Sequence, residues 1–372
     1  MSKSVKVTHL TSVHPRYDAR IFVKECCSLA KAGYDVTLVV ADGLGDEMKN
    51  GVRILDVGKH RSRMKRIIKA TKAVFEKAKA LDCDLYHFHD PELLWVGWRL
   101  KKTGRSVVFD AHEDVPRQIL AKTYIPTWLR KSASWIVEHF ENFIVRRLDA
   151  VVAPTPLIAE RFRAVGTQAV EVRNFPIYEE VGNRTPWDQR EDSVCYIGAI
   201  SRTRGIEEMV RAMEYCPVQF ELGGDFRPAS LQQEIEELSG WEQIRHHGFV
   251  NRTQVQAILA KSKIGLVTLH PTDSYLEAIP VKMFEYMAAG IPFIASDFPF
   301  WRRILEGYEC GLFVDPLDPK TIGDAICRLM DDQKLARQMG QNGIEAVKAT
   351  FRWEHESAKL QQLYATFLKE NP

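Results

Sequence analysis

No apolar run in this 372-residue chain approaches the roughly 20 residues that a membrane-spanning helix requires. The start, MSKSVKVTHL, lacks the apolar core of a signal peptide, so a protein made and kept in the cytoplasm is expected. Net charge is nearly absent too. Lysine and arginine number 51 against 49 acids, a formal balance of +2, without the basic footprint of a nucleic-acid binder. The seven cysteines are odd in number, scattered and free of CxxC spacing, which predicts reduced thiols, no disulfide and no zinc site. Neither a GxxxxGK[ST] loop nor a G-x-S-x-G elbow occurs, so the usual signals of P-loop hydrolysis and of serine hydrolases are missing.

What is present is alternation. Segments at Val5–Leu10, Asp35–Ala41, Val52–Val57, Asp84–His89, Ser106–Ala111 and Val151–Ala153 read as strands, with helices between several of them. Residues 174–192 are rich in proline, asparagine and charge without periodicity, and strands then resume at Ser193–Ile197, Val218–Leu222, Ile244–His247 and from Ile264. The pattern predicts an α/β protein of two doubly wound, Rossmann-like domains facing across a crevice. Expected boundaries are 1–175, a linker at 176–192, a second domain at 193–352 and a C-terminal helix at 353–372 that can pack back on the first domain.

The stretch Ile264–Ser296 is the most informative. Pro280 and Gly290 mark the start and stop of a helix, and Lys282 and Glu285 share a face near its N-terminus, where free backbone N–H groups favour an anion. An ordinary βαβ unit with a solvated ion pair is the competing account. Further polar groups gather at strand C-termini: His14, Arg16, Asp18, Arg20, Asp90, Asp110 and His112 in the first half, Arg202, Arg204, Gly224 and Glu277 in the second. Ligands of open α/β sheets bind at these ends. Asp82-Cys83-Asp84 lies at the wrong end of its strand for a metal-holding D-x-D, and His87 and His89 are read as buried or cleft-lining without metal.

Two segments bear on membranes. Lys59–Lys79 holds nine Lys/Arg against Glu76 alone, so it reads either as a basic amphipathic helix for an anionic surface or as a solvated outer helix. In Ile125–Arg147 most aromatics are expected in the core, with the Trp128–Lys131 end as the membrane contact.

EAIPVKMFEYMAAGIP, with Glu277 and Glu285, resembles the E-x7-E signature of retaining GT-B-fold glycosyltransferases of family four, and YIGAISRTRGIEEMVRAM resembles that family's G-x-L-x-x-x-[KR]-G segment. HPRYDARIFVKECCSLAKAGYDVTLV, HFHDPELLWVGWRLKKTGRSVVFDAHEDVP, VRNFP, HHGFV and CGLFVDPLDP look like segments of its bacterial surface-polysaccharide members. The resemblance implies a nucleotide-sugar donor, UDP favoured over GDP, and a glycan acceptor linked to a polyprenyl diphosphate. It also implies retention, no cofactor and no metal, and a peripheral place at the inner face of the plasma membrane. By the same resemblance Glu285 holds the ribose, Arg202, Arg204 and Lys282 the diphosphate, while His112 and Glu277 serve catalysis. Gly224, Val250, Ala278 and Ile279 lie near the donor sugar or base, and His14, Arg16, Asp18 and Arg20 on the acceptor side. Ala199 stands where many members carry an arginine, so that phosphate contact is absent or comes from Arg202. GDP-mannose-dependent transfer, a nucleotide-sugar epimerase and a non-catalytic glycan-binding module are the alternatives.

Overall fold

The computed structural model of the chain describes residues 4–59, 62, 66–122, 125–181 and 185–368. The chain forms two compact units, Met1–Asn174 with Glu354–Pro372, and Phe175–Trp353. Both are Rossmann-like α/β units built on parallel sheets.

The first unit carries β1 (Lys6–Leu10), β2 (Asp35–Val40), β3 (Glu47–Lys49), β4 (Val52–Asp56), β5 (Leu85–Phe88), β6 (Ser106–Asp110), β7 (Ala150–Ala153) and β8 (Ala169–Glu171). They lie in the order β3-β4-β2-β1-β5-β6-β7-β8, parallel except for β3 against β4. Strands such as DVTLVV and SVVFD are apolar almost throughout because helices cover both faces of the sheet. Order reverses between β1 and β5, which opens the binding crevice of a doubly wound sheet at their C-terminal ends. A π-helix, Ala19–Cys26, leads into α1 (Cys27–Lys31) after β1. Its i→i+5 bonding places Arg20 and Glu25, five apart, side by side, and their charged ends are 3.2 Å apart.

The unit's other helices are α2 (Thr71–Leu81), α3 (Leu94–Lys101), α4 (Val115–Ala121), α5 (Thr127–Val145) and α6 (Pro156–Ala164). In α2, Val74, Phe75 and Ala78 are buried in the core, so this part of the basic segment is an outer helix seated on the sheet. Residues 60, 61 and 63–65 of that segment lie outside the described residues. On α5 the sequence expectation is corrected. Trp135, Phe140 and Phe143 are exposed, as is Trp128, because the helix buries its Ser134, Glu141, Ile144 and Val145 side instead. Among the described residues no helix is long and apolar enough to cross a membrane.

The second unit holds β9 (Ser193–Ile197), β10 (Gln219–Gly223), β11 (Ile244–His246), β12 (Ile264–Val267), β13 (Phe293–Ser296) and β14 (Gly311–Val314), ordered β11-β10-β9-β12-β13-β14 and parallel throughout. Here the order reverses between β9 and β12. Its helices are α7 (Ile206–Ala212), α8 (Leu231–Glu236), α9 (Arg252–Lys261), α10 (Asp273–Leu276), α11 (Val281–Ala289), α12 (Pro299–Ile304), α13 (Pro319–Asp331) and α14 (Gln333–Ala349); α15 (Trp353–Leu368) carries the chain back into the first unit. Residues 176–192, read from sequence as a linker, are counted in this unit. Trp187 is buried in its core and its Nε1–H donates to Gln333 Oε1 at 2.8 Å. Cys216 and Cys327 form a disulfide, against the expectation of reduced thiols throughout; they lie 111 positions apart, and no spacing motif marks such a pair. The other five cysteines are free and buried.

α11, which begins beside the β9/β12 reversal, packs against α14 through Gly340 and Gly343. A Cβ at Gly340 would stand 2.3 Å from the Gly290 carbonyl oxygen, a backbone atom that cannot step aside alone. Gly340→Ala is therefore expected to lower stability by about 1–3 kcal/mol despite alanine's better helix propensity, read as a lower urea midpoint.

Candidate functional site

Each unit presents polar groups at its strand reversal. In the second unit, Gly198 follows β9 at φ +140° and Gly224 follows β10 at φ +142°. A Cβ on Gly224 would fall 1.8 Å from the Gly198 carbonyl oxygen, so the close approach of the two strand ends needs glycine. Above them, α11 starts at Val281 after the N-cap Pro280, with no side chain capping its first turn. Lys282 Nζ is buried, makes no hydrogen bond and lies 3.5 Å from the centre of the Tyr196 ring. A Cβ placed on Gly198 would meet both Lys282 Nζ, at 3.2 Å, and Arg204 Nη1, at 3.6 Å, so two cations converge on one glycine. Burial, then the Arg204 charge, pushes the Lys282 ammonium well below its ordinary range, with Glu285 and Tyr275 opposing. A buried ammonium is thus kept beside a guanidinium without a hydrogen-bonded counter-ion.

The other residues expected around the donor divide. Glu285 and Gly198 line a cavity of about 600 Å³, completed by Arg190, Glu180 and residues of α9; Lys282 and Arg204 lie off it. Arg202 is half exposed and already paired to Glu207, at 2.7 Å, and to Glu234, so it is not gathered with Arg204 and Lys282. Glu277 is exposed just after α10, Ala278 accepts a hydrogen bond from Trp301 Nε1 at 2.8 Å, and Ile279 and Val250 pack on the core. Sequence reading missed Tyr196 and Tyr275: burial would lower the Arg204 guanidinium, but these two phenols beside it hold it above its ordinary range. The CYIG segment held the only signal for the first of them.

In the first unit the reversal is occupied by a charged core. Arg20 is buried and donates to Asp110 through Nε (2.8 Å) and Nη2 (2.9 Å) and to the Val172 carbonyl through Nη1 (3.0 Å). Burial alone would raise the Asp110 carboxyl, but Arg20 foremost, with His112 and His89, holds it well below its usual range. Arg16 is likewise buried, on Asp42 (2.7 Å) and Glu47 (2.9 Å), and Asp18 caps the π-helix by accepting from the Arg20 and Ile21 N–H groups. Arg16 and Arg20 are thus engaged within the unit, while half-buried Asp18 uses one carboxylate oxygen, Oδ1, for the cap.

His14 and His112 differ. Their side chains are 29% and 19% exposed and their rings stand 4.9 Å apart. Buried Asp90 fixes the His14 loop by accepting from Ser12 N–H (2.5 Å), Thr11 Oγ1 (2.9 Å), Val13 N–H (3.1 Å) and His14 Nδ1 (2.8 Å). His112 Nε2 contacts Asp110 Oδ2 at 3.1 Å and His89 Nδ1 at 3.2 Å. Asp82 and Asp84, the D-x-D pair, bind Arg105 and the Lys6 N–H beside the strand N-termini.

Comparison with known proteins agrees with this architecture. A family model described as "Glycosyl transferases group 1" matches residues 178–346, and one described as "Glycosyl transferase 4-like domain" matches residues 20–177. A phosphatidyl-myo-inositol mannosyltransferase from Mycobacterium leprae is 31% identical over 296 residues, 77% of this chain and 74% of that protein. An alpha-D-kanosaminyltransferase from Streptomyces kanamyceticus is 25% identical over 219 residues, covering 56% of this chain and about half, 52%, of that relative's length. The Anabaena protein Alr3699/HepE, solved with UDP and glucose, superposes with a TM-score of 0.75 at 16% identity, over 97% of this chain and 100% of that one. The chain belongs to the GT-B glycosyltransferases.

Removing Asp110 would strand the Arg20 guanidinium in the core. Asp110→Ala is expected to destabilise the protein by about 3–5 kcal/mol in chemical denaturation, whereas Arg202→Ala, on an exposed pair, changes it by under about 1 kcal/mol.

Proposed function

We propose that the chain moves a sugar from a nucleotide-sugar donor, a UDP-sugar first, to a lipid-linked glycan acceptor, with retention of anomeric configuration. The observation that carries this reading is the buried Lys282 ammonium, without a hydrogen bond, beside Arg204 and Gly198 at the start of α11. A nucleoside diphosphate gains negative charge as its bond to the anomeric carbon breaks, and cations already fixed there stabilise that charge in the transition state. In the proposed step the acceptor oxygen bonds to the anomeric carbon on the face the diphosphate leaves, and the acceptor proton passes to the departing phosphate oxygen. Lys282 and Arg204 meet that oxygen's charge and Glu285 the ribose, and His112 and Glu277 are the proposed catalytic residues. UDP is supported by the UDP complex of the Anabaena protein. A GDP-mannose donor is the second reading, supported by the identity to the mycobacterial mannosyltransferase.

A panel of UDP- and GDP-sugars with a polyprenyl-diphosphate saccharide tests the proposal. Transfer from one donor is expected, and no turnover and no binding with any of them would sink it. Lys282→Met is expected to abolish transfer while raising the melting temperature of the ligand-free protein by about 2–4 °C, since it removes a buried cation held for a ligand. The sign follows from linkage. The folded lysine sheds a proton that the unfolded one keeps, so the wild-type penalty is full below the lowered value and vanishes above the ordinary lysine range, near 10.4. The variant's advantage therefore shrinks as pH rises, and an advantage growing with pH would contradict the assignment.

We also propose that α5 rests on an anionic membrane at the cytoplasmic face. Trp128, Trp135, Ile136, Phe140 and Phe143 recur along one exposed side, with Arg130, Lys131 and Arg147 on the same helix and its end. Trp135→Ser with Phe140→Ser is expected to cut partitioning onto phosphatidylserine liposomes severalfold with the melting temperature unchanged. Equal partitioning would remove α5 from this role.

A further inference from the structure

β1 and β5 pair in register with His9 opposite His87, and His89, two residues further on, projects from the same face. Three imidazoles thus line the strand reversal of the first unit, and the π-helix lowers Glu25 onto them. All four side chains are at most 1% exposed. Glu25 Oε2 has no hydrogen-bond partner, yet it stands 3.7 Å from His9 Nδ1, 3.8 Å from His87 Nδ1 and 3.9 Å from His89 Nε2. The spacing of an ordinary hydrogen bond is not met: these separations exceed its roughly 2.7–3.2 Å. They lie close to the edges, about 3.3–3.4 Å, of a tetrahedron whose four ligands stand about 2.0–2.1 Å from a central ion.

We propose that His9, Glu25, His87 and His89 form a closed structural site for a divalent first-row ion, zinc foremost. The donor set is three neutral imidazoles and one carboxylate, all four ligand atoms lie within 4.8 Å of one another, and a full set of four leaves no open position for substrate. The surroundings supply the outer hydrogen bonds such sites use. His89 Nδ1 faces Asp110 Oδ2 at 3.2 Å, a carboxylate on the far nitrogen of a metal-binding histidine, and Tyr364 Oη faces His9 Nε2 at 3.4 Å. Tyr364 Oη also lies 2.6 Å from His87 Nδ1, so an ion taking that nitrogen turns the hydroxyl to His9. Binding displaces the proton shared between His9 Nδ1 and His89 Nε2, 2.9 Å apart, together with any held by Glu25. The site departs from the sequence expectation of no metal, and it is separate from the diphosphate cations on the other unit.

Because the four groups are sealed from solvent, the ion enters as the chain folds, and the test follows from that. The full chain is expressed in zinc-supplemented medium, desalted against a chelator and analysed by inductively coupled plasma mass spectrometry. Zinc near one per chain is expected for wild type and for Arg202→Ala as a surface control, and about tenfold less for Glu25→Gln, which keeps the shape of the side chain. Cobalt-grown wild type is expected to show the visible bands of four-coordinate Co²⁺. Equal zinc in wild type and Glu25→Gln, or zinc-free wild type, overturns the proposal. If Glu25→Gln does not fold, the cobalt spectrum of wild type decides, and absence of those bands overturns it.

Discussion

The Arg20–Asp110 ion pair holds the first unit together. Its guanidinium reaches from the π-helix to the end of β6 and to the backbone beyond β8, so three parts of the chain distant in sequence close on one cation. A charge taken out of water needs such complete pairing. The same carboxylate receives His89 and His112, which means that the orientation of the partly exposed His112 ring is set from within the core. The widened turn of the π-helix belongs to this arrangement, since Arg20 and Glu25 share a side only when residues five apart are neighbours.

The second unit uses the opposite device. Where Arg20 is satisfied, Lys282 is left without a hydrogen bond over the face of Tyr196. Glycines at the ends of β9 and β10 let the backbone come close enough for the two cations to converge. The scaffold that permits this is ordinary, a parallel sheet whose order reverses, and what is particular to this unit is a few side chains placed at the reversal.

Much of the fold was legible in the sequence because parallel strands buried on both faces are nearly continuous apolar runs, and DVTLVV or SVVFD cannot easily be read otherwise. Pro280 and Gly290 likewise bracketed α11, with proline one position earlier, as its N-cap. What pattern could not convey was partnership. Arg16 and Arg20 look like free loop cations until Asp42, Glu47 and Asp110 are brought to them by tertiary contacts, and Arg202 and Arg204 are indistinguishable until one meets Glu207 and Glu234. His87 and His89 were visible as a pair, but His9 joins them only through the β1–β5 register and Glu25 only through a π-helix. α5 was misread because its aromatic side, which looks like core, is the side turned outward.

Tyr364 hydrogen-bonds His87 inside the first unit, although the whole of the second unit, Phe175–Trp353, is encoded between them. The second unit is in effect an insertion in the first. During synthesis from the N-terminus, the inserted domain can be complete while its host still lacks the segment that seals the histidine-lined interior. The contacts that Tyr364 makes with His87 and His9 can therefore form only after the whole second unit has been synthesised.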